Sequence, residues 1–274
     1  MDVRFYAQYQ KQIIEVLSKY LDNCDIDKIK ERLLNNTDYY YLTGEKKVIT
    51  LSTGQKKTIR LSKGSGKTNI YGSLKEEIVR PVCAVRVDYD DYELTADTII
   101  HELIHVASIS QKLLPYNKKE HKLGFITSTE EVSDEENAEN FNRYDFLNEC
   151  MTEMIAKFIN DNSYEDKYFV IKEDYELEYS RGYFMLAHIL LNSFEEDPKE
   201  ILQSYFNNDV EAFGKILEER TDYNLDELLS LLKIAKDSRY NHEMKKKYKS
   251  IIESINSINP LKNEEVIRQY KLIK

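Results

Sequence analysis

Cysteine is scarce: the 274 residues hold three, Cys24, Cys83 and Cys150, widely spaced and odd in number. Such a set makes neither a disulfide framework nor a CxxC metal site. Long apolar runs are missing too. None reaches the roughly 18 residues of a membrane-spanning helix, which argues against a membrane partner. The opening Met1-Asp2-Val3-Arg4-Phe5-Tyr6-Ala7-Gln8 has no basic start and no apolar stretch, so it does not read as a secretory signal. The cytoplasm is the expected compartment, with signal-less export as the other route. Positive charge is in deficit. Lys and Arg number 39 against 49 Asp and Glu, and the net charge of −10 speaks against nucleic acid as a partner. What remains is a chain long enough to bury a sizeable core as one large domain or two lobes.

Against that background one short segment carries chemistry. His101-Glu102-Leu103-Ile104-His105 is an HExxH motif, which on a helix sets two imidazoles one turn apart on the same face. That spacing lets both bind one Zn²⁺, with the glutamate between them turned to the open position of the metal as a general base. Ile99, Ile100, Leu103, Ile104, Val106 and Ala107 make most of the helix circumference apolar, so the helix is expected to be buried. Thr98, His101, Glu102, His105 and Ser108 fall on one stripe. Ionisable groups on a buried helix need partners or a metal. Thr95 or Asp97 is the expected N-cap.

A second helix carries the same pattern. Phe146, Leu147, Cys150, Met151, Met154, Ile155, Phe158 and Ile159 make a broad apolar face, and Glu149, Thr152 and Glu153 a narrow polar one. Carboxylates at i and i+4 repel each other unless a cation relieves them. A zinc held by two histidines is such a cation, and one of these carboxylates would supply its third ligand. Cys150 reads as a small core thiol.

HExxH followed by Asn148-Glu149-Cys150-Met151-Thr152-Glu153 resembles the gluzincin branch of zincin metallopeptidases, whose pattern is HExxH and then NExx(S/T)(D/E). The resemblance covers roughly residues 95–110 and 142–160. It implies that His101, His105 and Glu149 hold one zinc per chain and that Glu102 activates the water. Glu153 would stand behind His101 and orient it through its free ring nitrogen. Many relatives have glycine where Cys150 stands, so close helix packing there is in question. The glycine-containing exopeptidase signature is absent, which leans toward an endopeptidase. A tyrosine or histidine that donates to the oxyanion is expected after the second helix. Tyr175, Tyr179, Tyr183 and His188 are candidates, with Tyr179 preferred and Tyr183 next.

The rest of the chain places these helices. Residues 2–21 and 26–35 read as helices. Lys47–Leu51 and Thr58–Leu61 read as strands joined by a turn at Ser52-Thr53-Gly54-Gln55. Cys83, Val85 and Val87 alternate with Ala84, Arg86 and Asp88 as a strand just before the HExxH helix; the resemblance to zincins implies that such a strand lines the cleft and that a peptide substrate adds to its edge. Pro115 to Asn142, strongly acidic around Glu130–Glu136, reads as a solvated loop, with a calcium site or a lid as alternatives. Pro198–Phe206, Asp209–Glu219, Leu225–Ala235 and Met244–Ile255 have helical periodicity, as does the segment opened by Tyr179–Tyr183. Gly64-Ser65-Gly66-Lys67-Thr68 lacks the first glycine of a phosphate loop, because Leu61 stands there, and reads as a flexible loop. His121 also reads as lying in a charged loop. Lys246 stands where a second zinc motif at His242-Glu243 would need histidine. The triplet Lys245–Lys247 reads as a solvated helix face.

The expected fold is α+β and zincin-like: a small N-terminal sheet with helices and the active-site helix, then a mostly α-helical C-terminal lobe. The expected divisions are 1–112, an acidic connecting loop 113–141, and 142–274. The expected activity is hydrolysis of peptide bonds in a peptide or protein substrate by a zinc-activated water. A regulatory protease dedicated to one protein and a non-catalytic zinc-stabilised scaffold for a protein partner are the rival expectations.

Overall fold

Pro81–Arg86 forms a strand, β5, that is buried on both faces along Pro81-Val82-Cys83-Ala84-Val85. A strand covered on both faces reads as a continuous apolar run, and this one does. Alternate side chains point to opposite faces. Val82 and Ala84 join Leu42, Ile49, Leu51, Ile59 and Leu61 in one apolar cluster. The opposite face of the strand packs against the helix α3, Tyr92–Ser108. The computed structural model describes residues 3–51, 54–70, 80–87, 92–113, 119–129, 133–163 and 180–258. Helices and small sheets coexist throughout, so the protein is α+β.

Two units divide the chain, Met1–Leu123 and Gly124–Lys274. The first opens with α1, Val3–Leu17, and α2, Asn23–Lys30, which runs into a π-helical turn at Glu31–Asn35. That turn frees carbonyls which side chains then satisfy: Gln10 Nε2 and the Tyr39 hydroxyl both donate to Leu33 O, and Thr37 to Arg32 O. The strand β1, Asp38–Leu42, follows and pairs in parallel with β5. β2, Lys46–Thr50, and β3, Lys56–Arg60, form the expected hairpin. β4, Gly66–Ile70, pairs antiparallel with β5, giving the sheet order β1-β5-β4. Two expectations change here. The strand before the HExxH helix is the central one rather than an edge, and the stretch read as a flexible loop around Gly64–Thr68 contributes β4. β6, Ile109–Leu113, and β7, Lys119–Leu123, pair antiparallel and place His121 opposite Gln111, in a strand rather than a loop.

The second unit begins with β8, Ile126–Thr129, and the long helix α4, Asp134–Ser163. Of the segment expected as a solvated loop, residues 119–123 and 126–129 are therefore strand and residues 134–142 helix. Ser133 and Glu136 form reciprocal side-chain to backbone bonds, Glu136 N to Ser133 Oγ at 3.2 Å and Ser133 N to Glu136 Oε2 at 3.0 Å. This is a capping box, and Asp134, Glu135 and Glu136 in the first turn complement the helix dipole. Asn137 and Asn140 then accept the amides of Thr129 and Thr127, tying β8 to α4. The helices α5, Ser180–Glu196, α6, Lys199–Phe206, α7, Val210–Arg220, α8, Leu225–Asp237, and α9, His242–Ile258, complete the unit near the expected bounds. Among the described residues no helix is long and apolar enough to cross a membrane.

Candidate metal centre

α3 begins at Tyr92, a turn ahead of the expected cap, and carries its polar stripe inward. His101 is 4% exposed, Glu102 7% and His105 5%. The helical spacing brings His101 Nε2 and His105 Nε2 to 3.2 Å, with the rings edge-on at 4.9 Å between centroids. Two nitrogens bound to one tetrahedral zinc at about 2.05 Å stand about 3.3 Å apart. The observed pair fits that edge. Thr98 and Ser108, at the ends of the stripe, donate to backbone carbonyls of Gly64 and His105. Arg32 donates to Ala107 O at 2.6 Å, covering a carbonyl at the C-terminal end of the helix.

Glu102 has a partner that the sequence did not reveal. The Thr68 hydroxyl lies 2.6 Å from Glu102 Oε2 and 3.1 Å from the Glu102 carbonyl. Gly66, on the same side of β4, leaves the space Glu102 fills: a Cβ there would stand 2.3 Å from Glu102 Cγ. The only sequence signal was glycine and threonine at alternate positions. Beneath lies Cys83, fully buried, whose thiol is held well above its usual pKa by burial and then by the Glu102 charge. Tyr6 is raised likewise, by burial first, and its hydroxyl donates to Tyr40 O.

α4 carries the second motif in the other unit. Asn148 Oδ1 accepts the Phe125 amide at 3.1 Å, and a Cβ on Gly124 would lie 1.8 Å from that oxygen. Thr152 bonds to Asn148 O at 2.8 Å and shares a 2.6 Å hydrogen bond with the Tyr205 hydroxyl. The Asn and Thr of the motif thus anchor the fold. Glu149 is half-buried, and Glu153, 6% exposed, pairs with Lys157 Nζ at 3.0 Å. Lys157, one turn on, is a cation that the motif does not include, and it lies 5.9 Å from the Tyr183 ring centroid. Cys150 is the expected core thiol, pushed up in pKa by burial and then by Glu149 and Glu153. The helices do approach closely at Cys150, and Gly182 of α5 is what allows it: a Cβ there would stand 2.6 Å from Cys150 Sγ.

Tyr183 is 1% exposed on α5, beside Phe184. His188 is buried on the same helix, and burial lowers its pKa to about 4. Tyr175 and Tyr179 lie outside the described residues. Comparison with protein-family models, with characterised proteins and with solved structures gave no match.

Proposed function

We propose that the chain is a zinc metallopeptidase of the gluzincin type, with a zincin-like arrangement and one zinc per chain. The observation that carries the reading is the 3.2 Å approach of the two buried imidazole nitrogens with Glu102 beside them. By donor chemistry, His101, His105 and Glu149 are a group that could hold a metal ion. Two neutral imidazoles and one carboxylate leave a divalent ion with a net charge near +1, which keeps it Lewis-acidic. Bound zinc would polarise the scissile carbonyl and bring the pKa of its water to about 7.

The chain's own groups do the rest. Glu102 takes the proton of the attacking water and returns it to the leaving amine. Thr68 holds Oε2 of that carboxylate, which leaves Oε1 to face the water. Glu149 is the third ligand, and Glu153 steadies His101. Tyr183 is buried within α5, so the oxyanion donor is assigned to Tyr179, with Tyr183 second. An internal peptide bond is the favoured target.

Two measurements test this. Metal analysis after zinc reconstitution is expected to give about one ion per chain, lost in His101→Ala and His105→Ala. A peptide-library digest is expected to show cleavage that a chelator abolishes and that Glu102→Gln loses while keeping its zinc. An absence of bound zinc in the reconstituted wild type defeats the reading.

A further inference from the structure

Charge is unevenly spread along this acidic chain. Residues 43–67 hold seven Lys and Arg and one Glu, a net of +6 in a chain of −10, which leaves −16 on the rest. The β2–β3 hairpin gathers most of that surplus. Residues directly opposite in an antiparallel pair share a face. Ile49 and Ile59 turn inward with the cluster around Val82, while Lys46, Val48, Thr50, Lys56, Thr58 and Arg60 share the outward face and are all exposed.

Three features of this face call for a ligand. Lys46 and Arg60 stand directly opposite each other, and like charges so placed destabilise a ladder. Among the described residues Lys46, Lys56 and Arg60 have no carboxylate partner and no side-chain hydrogen bond, although neighbouring Lys47 is held over the Tyr40 and Tyr41 rings and donates to Tyr41 O. In their midst Val48 is 64% exposed.

We propose that the outward face of the β2–β3 hairpin docks a short acidic polypeptide segment of a partner or substrate protein. Carboxylates four positions apart in an extended segment match Lys56 and Arg60, which stand four residues, about 13 Å, apart on β3 with Lys46 across from Arg60. An apolar side chain in the same segment covers Val48, a contact that a phosphodiester backbone does not offer. A net charge of −16 on the rest of the chain disfavours an anionic membrane or a long polyanion. A short segment meets the hairpin alone.

The test reads binding without turnover, so it stands apart from the zinc reading. Fluorescence anisotropy follows a dye-labelled peptide of glutamates and valines added to the whole chain at low salt. Binding is expected, weakening as salt rises, and dropping about tenfold in Lys46→Gln/Lys56→Gln/Arg60→Gln, whose substitutions are all on the exposed face. Arg60→Glu alone, with an unchanged melting temperature, is a second variant expected to weaken it. A duplex oligonucleotide and phosphatidylserine vesicles serve as comparators. The proposal is overturned if the peptide does not bind, if the variants bind it as wild type does, or if either comparator binds more tightly.

Discussion

Thr68 on β4 holds the carboxylate of Glu102 at 2.6 Å, although 34 residues separate them in the chain. A hydrogen bond to an ionised oxygen is short and strong, and it fixes a side chain with several free torsions. Thr68→Val keeps the shape and removes the donor. Zinc content and KM are expected to stay, while kcat falls about 10- to 100-fold from the lost orientation. Thr68→Ser is expected to restore it. Loss of zinc in Thr68→Val would make the contact structural instead.

Part of the fold around the candidate site was legible in the sequence, and what escaped has physical causes. α3 and β5 were legible because each is buried nearly all round, so their apolar runs are long and their polar exceptions conspicuous. β4 was not. Its Gly66 has no side chain because Glu102 occupies that space, and a glycine pair looks like a loop when the occupant is distant in sequence. The start of α4 was missed for the opposite reason. Asp134, Glu135 and Glu136 make it look solvated, while its capping box and the asparagines that bond β8 are polar contacts that periodicity does not register. β1 escaped because Tyr39, though buried, bonds to a π-turn carbonyl, and its neighbours are polar at one end.

Gly182 is expected to tolerate no side chain. A Cβ there meets Phe146 Cε1 at 2.3 Å and Cys150 Sγ at 2.6 Å, between two packed helices. Gly182→Ala gains helix propensity but overpacks the core, and the balance is a net loss of about 1–3 kcal/mol. Urea unfolding would register it. Adding Cys150→Ala removes the Sγ contact but not the closer Phe146 one, so it is expected to rescue little.

His188 sets a pH dependence. Its folded pKa of about 4 lies below the ordinary 6.5, because burial penalises the charged ring. The unfolded chain therefore binds a proton that the folded chain excludes between those values. Stability from this group is full above pH 6.5 and is lost as pH falls toward 4, about 3 kcal/mol in all. Chelated wild type and His188→Gln, unfolded in urea across that range, are expected to differ in slope, with the wild type steeper. Equal slopes would show that His188 is protonated in the fold.

The two carboxylates of α4 are separated by one turn and differ in company. Glu153 pairs with Lys157 at 3.0 Å and is nearly buried, whereas Glu149 is half-buried. A carboxylate already neutralised by an ammonium is the poorer ligand for a cation, which agrees with Glu149 as the third ligand. Glu149→Ala is expected to leave two histidines and to abolish tight zinc binding. Glu153→Ala is expected to weaken affinity about 10–100-fold, as loss of a group orienting a ligand does. It also strands Lys157, so Glu153→Gln, which keeps a hydrogen-bond acceptor there, separates that effect. Zinc titrations of the three variants decide the roles. If Glu153→Ala strips the metal while Glu149→Ala retains it, the ligand assignment must be exchanged; if neither changes it, the third ligand lies elsewhere and the gluzincin reading fails.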